Sequence, residues 1–491
     1  MTEVAIHALA AGGDGVGRDP DGRAVFVAAA APGDVLEVEL VERHERWARG
    51  ELVAIVTPGP GRIAPRCPLF AARTCGGCDW AHLDQPTQRA AKHAVVAGAT
   101  RRLIAAGARL EPLACPEPDW GWRRRARLAI TATAIGLRGP RRHDVVDLAA
   151  CPQLAPALTA ALDEIRAVRD GLVRGPGELH LLAGVAGVHA VFAAPVEPIA
   201  AAALVGRGGL IGVAWPGGSA GADAVELEPG LVLAADAFAQ AGAAGNAALV
   251  AAVTAAVAAA PGQPVLELYA GAGNFTRALV AAGAAVTASD VVAPARPPTG
   301  ARYQVGPAAR VVGTLAAARA RFEAIVLDPP RAGAKDVIDR LPGFAPARIV
   351  YVSCDPRDLR PRWRTPGRRR LSLPRDRALR SHAADRPRRA GRAVHSGLRA
   401  RAAASTARRS PPPAIATQVR VRNSSTRTAA RSRPRGPRRV KVRSRVGTAA
   451  RPSRVSAWSS IVQPSIAKPA AIASTWAARV DSRHAATLGT S

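Results

Sequence analysis

Apolar and polar residues alternate in short runs over the first sixty positions. "VAIHALAAGGDGVGR", "GRAVFVAAAAPGDVLEVELVE" and "WARGELVAIVTPGP" carry aliphatic or β-branched residues at alternate positions, broken by Gly, Pro and Asp. That period predicts strands, and strands so closely spaced predict a small barrel of the oligonucleotide-binding type over 1–58, with any SH3-like barrel as the plainer reading. Residues 59–235 mix short strands with a cysteine cluster and a basic stretch, "WGWRRRARLAI", and read as a central α+β domain. From 236 the period changes. "AAGNAALVAAVTAAVAAAPG" reads as a helix stopped by Pro-Gly, and "VLELYAGAGNF" as a strand, a glycine turn and the start of a helix. "AAVTASD", "FEAIVLDPP" and "ARIVYVSC" are three more apolar strands. This alternation predicts an α/β fold over 236–360, a doubly wound Rossmann-like parallel sheet.

Beyond 360 neither period persists. Residues 361–491 are Arg, Pro, Ser, Ala and Thr in no regular order, a composition that cannot bury enough apolar surface to offset the entropy of ordering. The tail is therefore expected to be disordered. It also changes the meaning of the net charge of +31, because it holds 32 Lys+Arg against three Asp, leaving 36 basic and 34 acidic residues in 1–360. The basicity is a property of the tail and says little about the partners of the folded part.

The N-terminus lacks a basic region followed by a long apolar run, and no stretch of about 18 residues is free of Gly, Pro and charge. The expectation is a cytoplasmic protein with no membrane span, and a monomer. Six cysteines in such a chain point to thiols, metal ligands or catalysis rather than disulfides.

Four motifs carry candidate chemistry. In "VLELYAGAGNF" (265–275), Gly271 and Gly273 between strand and helix let a ligand approach the backbone, and Asp290, ending the next strand, stands where a ribose is held. An ordinary tight turn is the plain alternative, and the glycine pattern alone suits dinucleotides as well as S-adenosylmethionine. "VLDPPRAGA" (326–334) puts Asp328 at a later strand end, before two prolines and Arg331, a partner for phosphate or base. "IVYVSCDPRDLRP" (349–361) delivers Cys354 to the end of a further strand. A small residue finishing a core strand explains that thiol plainly. A nucleophile is the sharper reading, since open α/β sheets present their sites at these ends, and a thiolate that adds to C6 of a uracil turns C5 into a methyl acceptor. Finally, "CPLFAARTCGGCDWAH" (67–82) spaces Cys67, Cys75 and Cys78 as metal ligands, with Cys151 remote in "DLAACPQLAP". Zinc and an iron–sulfur cluster both remain open on spacing. Cys115 is left over, with a structural role expected.

Taken together and in order, the cysteine cluster ending C-G-G-C, "RRRARL", the F-x-Q at Phe238–Gln240, "GAGNF", "DPPRAGA" and "YVSCDP" resemble the RNA uracil-5-methyltransferase family of class I S-adenosylmethionine enzymes. The resemblance covers 1 to about 359 and implies an N-terminal TRAM barrel. It implies a [4Fe-4S] cluster on Cys67, Cys75, Cys78 and Cys151. It further implies donor contacts from Gln240, Tyr269, Asn274, Asp290 and Asp328, and Cys354 as the nucleophile. RNA is the implied partner, with 23S ribosomal RNA favoured over transfer RNA because barrel and cluster occur together.

Three departures stand out. The connection between Asp290 and Phe322, "VVAPARPPTGARYQVGPAARVVG", is short and Pro-rich where the family carries a helix and a longer link. After Leu359 nothing matches the family's Phe-Pro-x-x-x-His-x-Glu motif, whose Glu is the general base. Glu323 is the last Glu in the chain. A tail of this composition is what GC-rich coding DNA yields out of frame, so a frameshift near codon 360 is expected. An iron–sulfur RNA-binding protein without turnover, a transfer-RNA enzyme, and a polybasic RNA arm are the competing readings.

Overall fold

Strands β1 (Thr2–Leu9), β2 (Gly15–Arg18), β3 (Ala24–Val27), β4 (Val35–Arg43) and β5 (Trp47–Thr57) close into a barrel in the order β1-β2-β3-β5-β4. Alternation decides their faces: Leu36 and Val38 are fully buried, while the neighbouring glutamates of β4 turn outward. Asp34 clamps the barrel to the segment after β5. Its buried carboxylate accepts the backbone N–H of Gly59 at 2.8 Å and Nε of Arg62 at 2.9 Å. This computed structural model describes residues 1–355 apart from 106, 115 and 235, together with 376–382, 416–422 and 454–459.

After the barrel come α1 (Pro68–Ala71), α2 (Gln85–Ala105), β6 (Ala108–Ala114), β7 (Arg125–Ile130), β8 (Ile135–Arg138), β9 (Val145–Asp147), α3 (Pro156–Ala167) and α4 (Arg169–Leu172). They are followed by β10 (Gly177–Ala183), β11 (Val188–Ala193), α5 (Pro198–Ala202), β12 (Leu210–Trp215) and β13 (Gly218–Gly221). All these strands but β6 form one sheet, β13-β12-β11-β10-β7-β8-β9. One face packs Leu128, Ile130, Leu179, Leu181 and Phe192 against Leu158, Leu162 and Ile165 of α3. By alternation the opposite face carries Arg125, Arg127, Glu178 and His180.

A hairpin of β14 (Ala224–Glu228) and β15 (Leu231–Ala234) leads into α6 (Ala243–Val257), β16 (Pro264–Leu268), α7 (Thr276–Ala281), β17 (Ala285–Asp290) and β18 (Arg302–Val305). Next come α8 (Ala308–Ala317), β19 (Ala324–Leu327), a 3-10 helix (Ile338–Phe344) and β20 (Arg348–Ser353). The five strands run parallel in the order β18-β17-β16-β19-β20, with the order reversing between β16 and β19. Open α/β sheets bind ligands at the carboxyl ends beside such a reversal. One face of the sheet packs on α6 through Leu249 and Val253, the other on α8 through Val311 and Val312. The connection between Asp290 and Phe322 holds strand β18 and helix α8, so the expectation that it lacks a helix is corrected.

Three tail segments, β21 (Asp376–His382), β22 (Ala416–Arg422) and β23 (Arg454–Ser459), extend the sheet from β20 to β6. Sheet pairing is made by backbone groups, and the open edge of β20 accepts any extended segment able to offer them. The rest of 361–491, and Cys115, lie outside the described residues.

Candidate active site and cysteine cavity

The turn after β16 is built on left-handed backbone: Tyr269, Gly271 and Gly273 have φ of 64°, 57° and 91°. The two glycines are required for different reasons. A Cβ on Gly273 would meet Pro298 at 2.6 Å, whereas a Cβ on Gly271 would project into space with nothing within 4 Å. Gly273 admits the Pro-rich connection, and Gly271 keeps an open approach to the backbone. Asp290 binds the turn from the end of β17, its Oδ2 accepting Gly271 N–H at 2.9 Å and its Oδ1 accepting Val292 N–H at 3.3 Å. The Tyr303 hydroxyl donates to Gly271 O at 3.3 Å, and Tyr269 donates to Asp336 at 3.2 Å.

Two acids lie beneath this rim. Glu267 is fully buried on β16 and accepts from the Thr276 hydroxyl at 2.7 Å, leaving its other oxygen without a hydrogen-bond partner. Burial, aided by the charges of Asp328 and Asp290, pushes it up to about 8. Asp328 is half-buried as a residue, but its Oδ1 is sealed off without a partner, and burial pushes its carboxyl up to about 8.

Asp328 and Cys354 belong to adjacent strand ends. Leu327 pairs with Tyr351, and Val326 and Val352 face the α6 side, so Asp328 and Cys354, each two residues further on, continue that row. Cys354 is 6% exposed, just past β20. Arg331 is exposed. Gln240 lies on the segment before α6, its carbonyl accepting Nε of Arg124 at 3.1 Å. Asn274 exchanges hydrogen bonds with Asn246 of α6. Arg125, next to Arg124, lies over the Phe238 ring at 5.2 Å.

Asn246 and Glu228 escaped the sequence reading, although Asn246, the lone polar residue before Thr254 in an otherwise apolar helix, was a visible signal. Glu228, in "VELEPG", offered none.

Cys67, Cys75, Cys78 and Cys151, all thiols, line one cavity of about 50 Å³ with Trp120, Arg123 and Arg127 in its walls. Sequence neighbours explain three of them, while Cys151 arrives on the turn between β9 and α3. Burial, reinforced by Cys151 and Cys67, pushes the Cys75 thiol up to about 11, and burial raises Cys151 as well. Among the described residues no three His, Cys, Asp or Glu side chains gather closely enough to hold a single metal ion. Four thiols lining one cavity are a soft donor set, of the kind that takes zinc or an iron–sulfur cluster.

Residues 2–53 match the TRAM domain. The chain is 32% identical over 400 residues to the 23S rRNA (uracil(1939)-C(5))-methyltransferase RlmD of Halomonas elongata, covering 73% of this chain and 82% of that one. It is 31% identical to the protein of the same name from Thiobacillus denitrificans, over 71% of this chain and 88% of the other. The solved Pyrococcus abyssi tRNA (uracil-54, C5)-methyltransferase, in complex with S-adenosyl-L-homocysteine, shares the fold with a TM-score of 0.57 and 22% identity, covering 73% of this chain and 91% of that one. With identity above 30% over more than four-fifths of these relatives' length, the chain belongs to the S-adenosylmethionine-dependent RNA uracil-C5-methyltransferase family.

Proposed function

We propose that the chain transfers a methyl group from S-adenosylmethionine to C5 of a uridine in 23S ribosomal RNA, through a covalent adduct on Cys354. One observation carries the reading: the glycine turn, Asp290, Asp328 and Cys354 follow neighbouring parallel strands β16, β17, β19 and β20 and share their carboxyl-end rim. The choice of ribosomal RNA is supported by the names of the relatives with which the chain aligns over most of their length.

In this reading Gln240, Tyr269, Gly271, Gly273, Asn274, Asp290 and Asp328 hold the donor, Asp290 toward its ribose. The basic face with Arg125 over Phe238 receives RNA, and the target uridine is flipped out of its stack to reach the rim. The Cys354 thiolate adds to C6, and the C5=C6 electron pair passes into the C5–O4 enolate. C5 then takes the methyl carbon as the bond to the donor sulfur breaks, its electrons remaining on sulfur. Removal of the C5 proton restores C5=C6 and expels the thiolate. Cys67, Cys75, Cys78 and Cys151 would hold a [4Fe-4S] cluster, which when bound supplies a cross-link between the α1 region and the turn before α3.

The test is incubation with methyl-labelled donor and unmodified 23S ribosomal or transfer RNA, with the labelled base then mapped. Label at C5 of a uridine in ribosomal RNA, free or protein-bound, is the expected result. Label confined to transfer RNA would overturn the choice of RNA, and label at another atom would overturn the chemistry.

A further inference from the structure

Glu228 ends β14, outside every motif, yet four side chains converge on it or on its partner. Its Oε1 accepts Arg124 Nη2 at 2.8 Å and Asn246 Nδ2 at 2.8 Å, and its Oε2 pairs with Arg277. Asn246, 2% exposed, also donates from Nδ2 to Asn274 Oδ1 at 2.9 Å, and Asn274 returns Nδ2 to Asn246 Oδ1 at 2.8 Å.

The chemistry of these groups gives the chain of bonds a direction. An ionised carboxylate only accepts, so the Asn246 amide must present its nitrogen to Glu228. That choice fixes where Asn246 Oδ1 lies, and Asn274 must answer it with its own nitrogen. A flipped Asn274 would set donor against donor and acceptor against acceptor inside a buried site, where an unmade hydrogen bond is costly. One anion thus dictates the sense of two amides. Through Arg124 it also holds the guanidinium that binds the carbonyl of Gln240.

We propose that Glu228 is a positioning residue for the methyl donor, acting through Asn246 on Asn274. This rests on the reading of Asn274 as a donor contact. The competing role is structural, an ion-pair centre tying β14 to Arg124 and Arg277, which would act on stability without regard to Asn274.

A double-mutant cycle on the full chain separates the two. S-adenosylhomocysteine binding is measured by calorimetry for the parent, Glu228→Gln, Asn274→Ala and the double variant, with thermal midpoints recorded beside each. Glu228→Gln is expected to weaken binding about tenfold in the parent and less than twofold once Asn274 is Ala, a coupling of ordinary size for side chains in one network. Equal losses in both backgrounds, or no loss in the parent, overturn the relay while leaving Asn274 a donor contact. If Asn274→Ala itself leaves binding unchanged, the donor reading of Asn274 falls and the relay with it. Should Glu228→Gln not fold, Asn246→Ala takes its place in the same cycle, since it cuts the relay while leaving both arginines on Glu228. The same two results then decide.

Discussion

The carboxylate of Asp290 accepts the backbone N–H of Gly271 at 2.9 Å, joining the end of β17 to the turn after β16. One side chain thereby shapes the turn, and its carboxylate oxygens retain acceptor capacity beyond the two backbone bonds. Asp290→Ala is expected to weaken S-adenosylhomocysteine binding by about tenfold, the loss of one charge-assisted hydrogen bond of about 1.5 kcal/mol or more. Gly271→Val is expected to abolish it, because a β-branched residue is strained at φ 57° and its side chain enters the open space above the turn. Calorimetry checks both. Tighter binding of a nicotinamide dinucleotide than of S-adenosylhomocysteine would argue for a different ligand.

Glu267 and Asp328, both pushed up to about 8 mainly by burial, predict how the methyltransferase sheet responds to pH. In the unfolded chain such carboxyls ionise near pH 4. Between about pH 4 and 8 the folded state therefore binds more protons than the unfolded state, and stability falls as pH rises through that window. It levels off above about 8. Glu267→Gln should flatten this slope and raise the thermal midpoint at pH 8 relative to parent, because the neutral amide avoids burying a charge next to Asp328. Midpoints measured from pH 5 to 9 check it, and parallel curves for parent and variant would contradict it.

Asp34 gives the opposite limb. Burial alone would raise its carboxyl, but the bonds from Arg62, Gly59 and Ala31 outweigh that and hold it below the usual range. Its stabilisation is therefore present above the unfolded value of about 3.9 and is lost as pH falls through the folded one. Asp34→Asn, which leaves Arg62 facing a neutral amide, should cost about 3 kcal/mol at pH 7. The difference should shrink toward pH 3, as seen by urea unfolding of the barrel.

The cysteine cavity predicts a brown protein when purified without air, with about four irons per chain. Cys67→Ser, Cys75→Ser, Cys78→Ser and Cys151→Ser should each lose the iron, and Cys115→Ser should keep it. Stoichiometric zinc without iron would contradict an iron–sulfur cluster in the cavity.

The strands and their faces were legible because burial imposes a simple period: two in the barrel, unbroken apolar runs in the parallel strands. The strand-end residues were legible for the same reason, since a Gly turn, Asp290, Asp328 or Cys354 must come directly after a strand to reach the rim. What stayed hidden depends on contacts between distant segments. Nothing in "VELEPG" announces that Glu228 meets Arg124, 104 residues earlier. Nor does "ARLEPLA" reveal that β6 joins the edge of the C-terminal sheet rather than the sheet of its sequence neighbours, because edge pairing is decided by backbone groups. Nor does the Pro-rich connection reveal that its Pro298 packs where a side chain at residue 273 would stand, which Gly273 leaves free.

A covalent route on Cys354 requires a base to take the C5 proton before the thiolate can leave. The resemblance implies a C-terminal Glu for removing the C5 proton, and Glu323 is the last Glu in the chain. Asp328, kept protonated by burial below about pH 8, is a poor acceptor at neutral pH. The most direct measurement is a denaturing gel of the chain with unmodified 23S ribosomal RNA and methyl-labelled donor, beside Cys354→Ala and a chain whose tail is restored to the family frame. The prediction is labelled RNA retained on the protein, at most one methyl group per chain, no retained label with Cys354→Ala, and release with the restored tail. Repeated turnover by the chain as it stands, without retained adduct, would contradict the stalled step, and methylation by Cys354→Ala would contradict the covalent route itself.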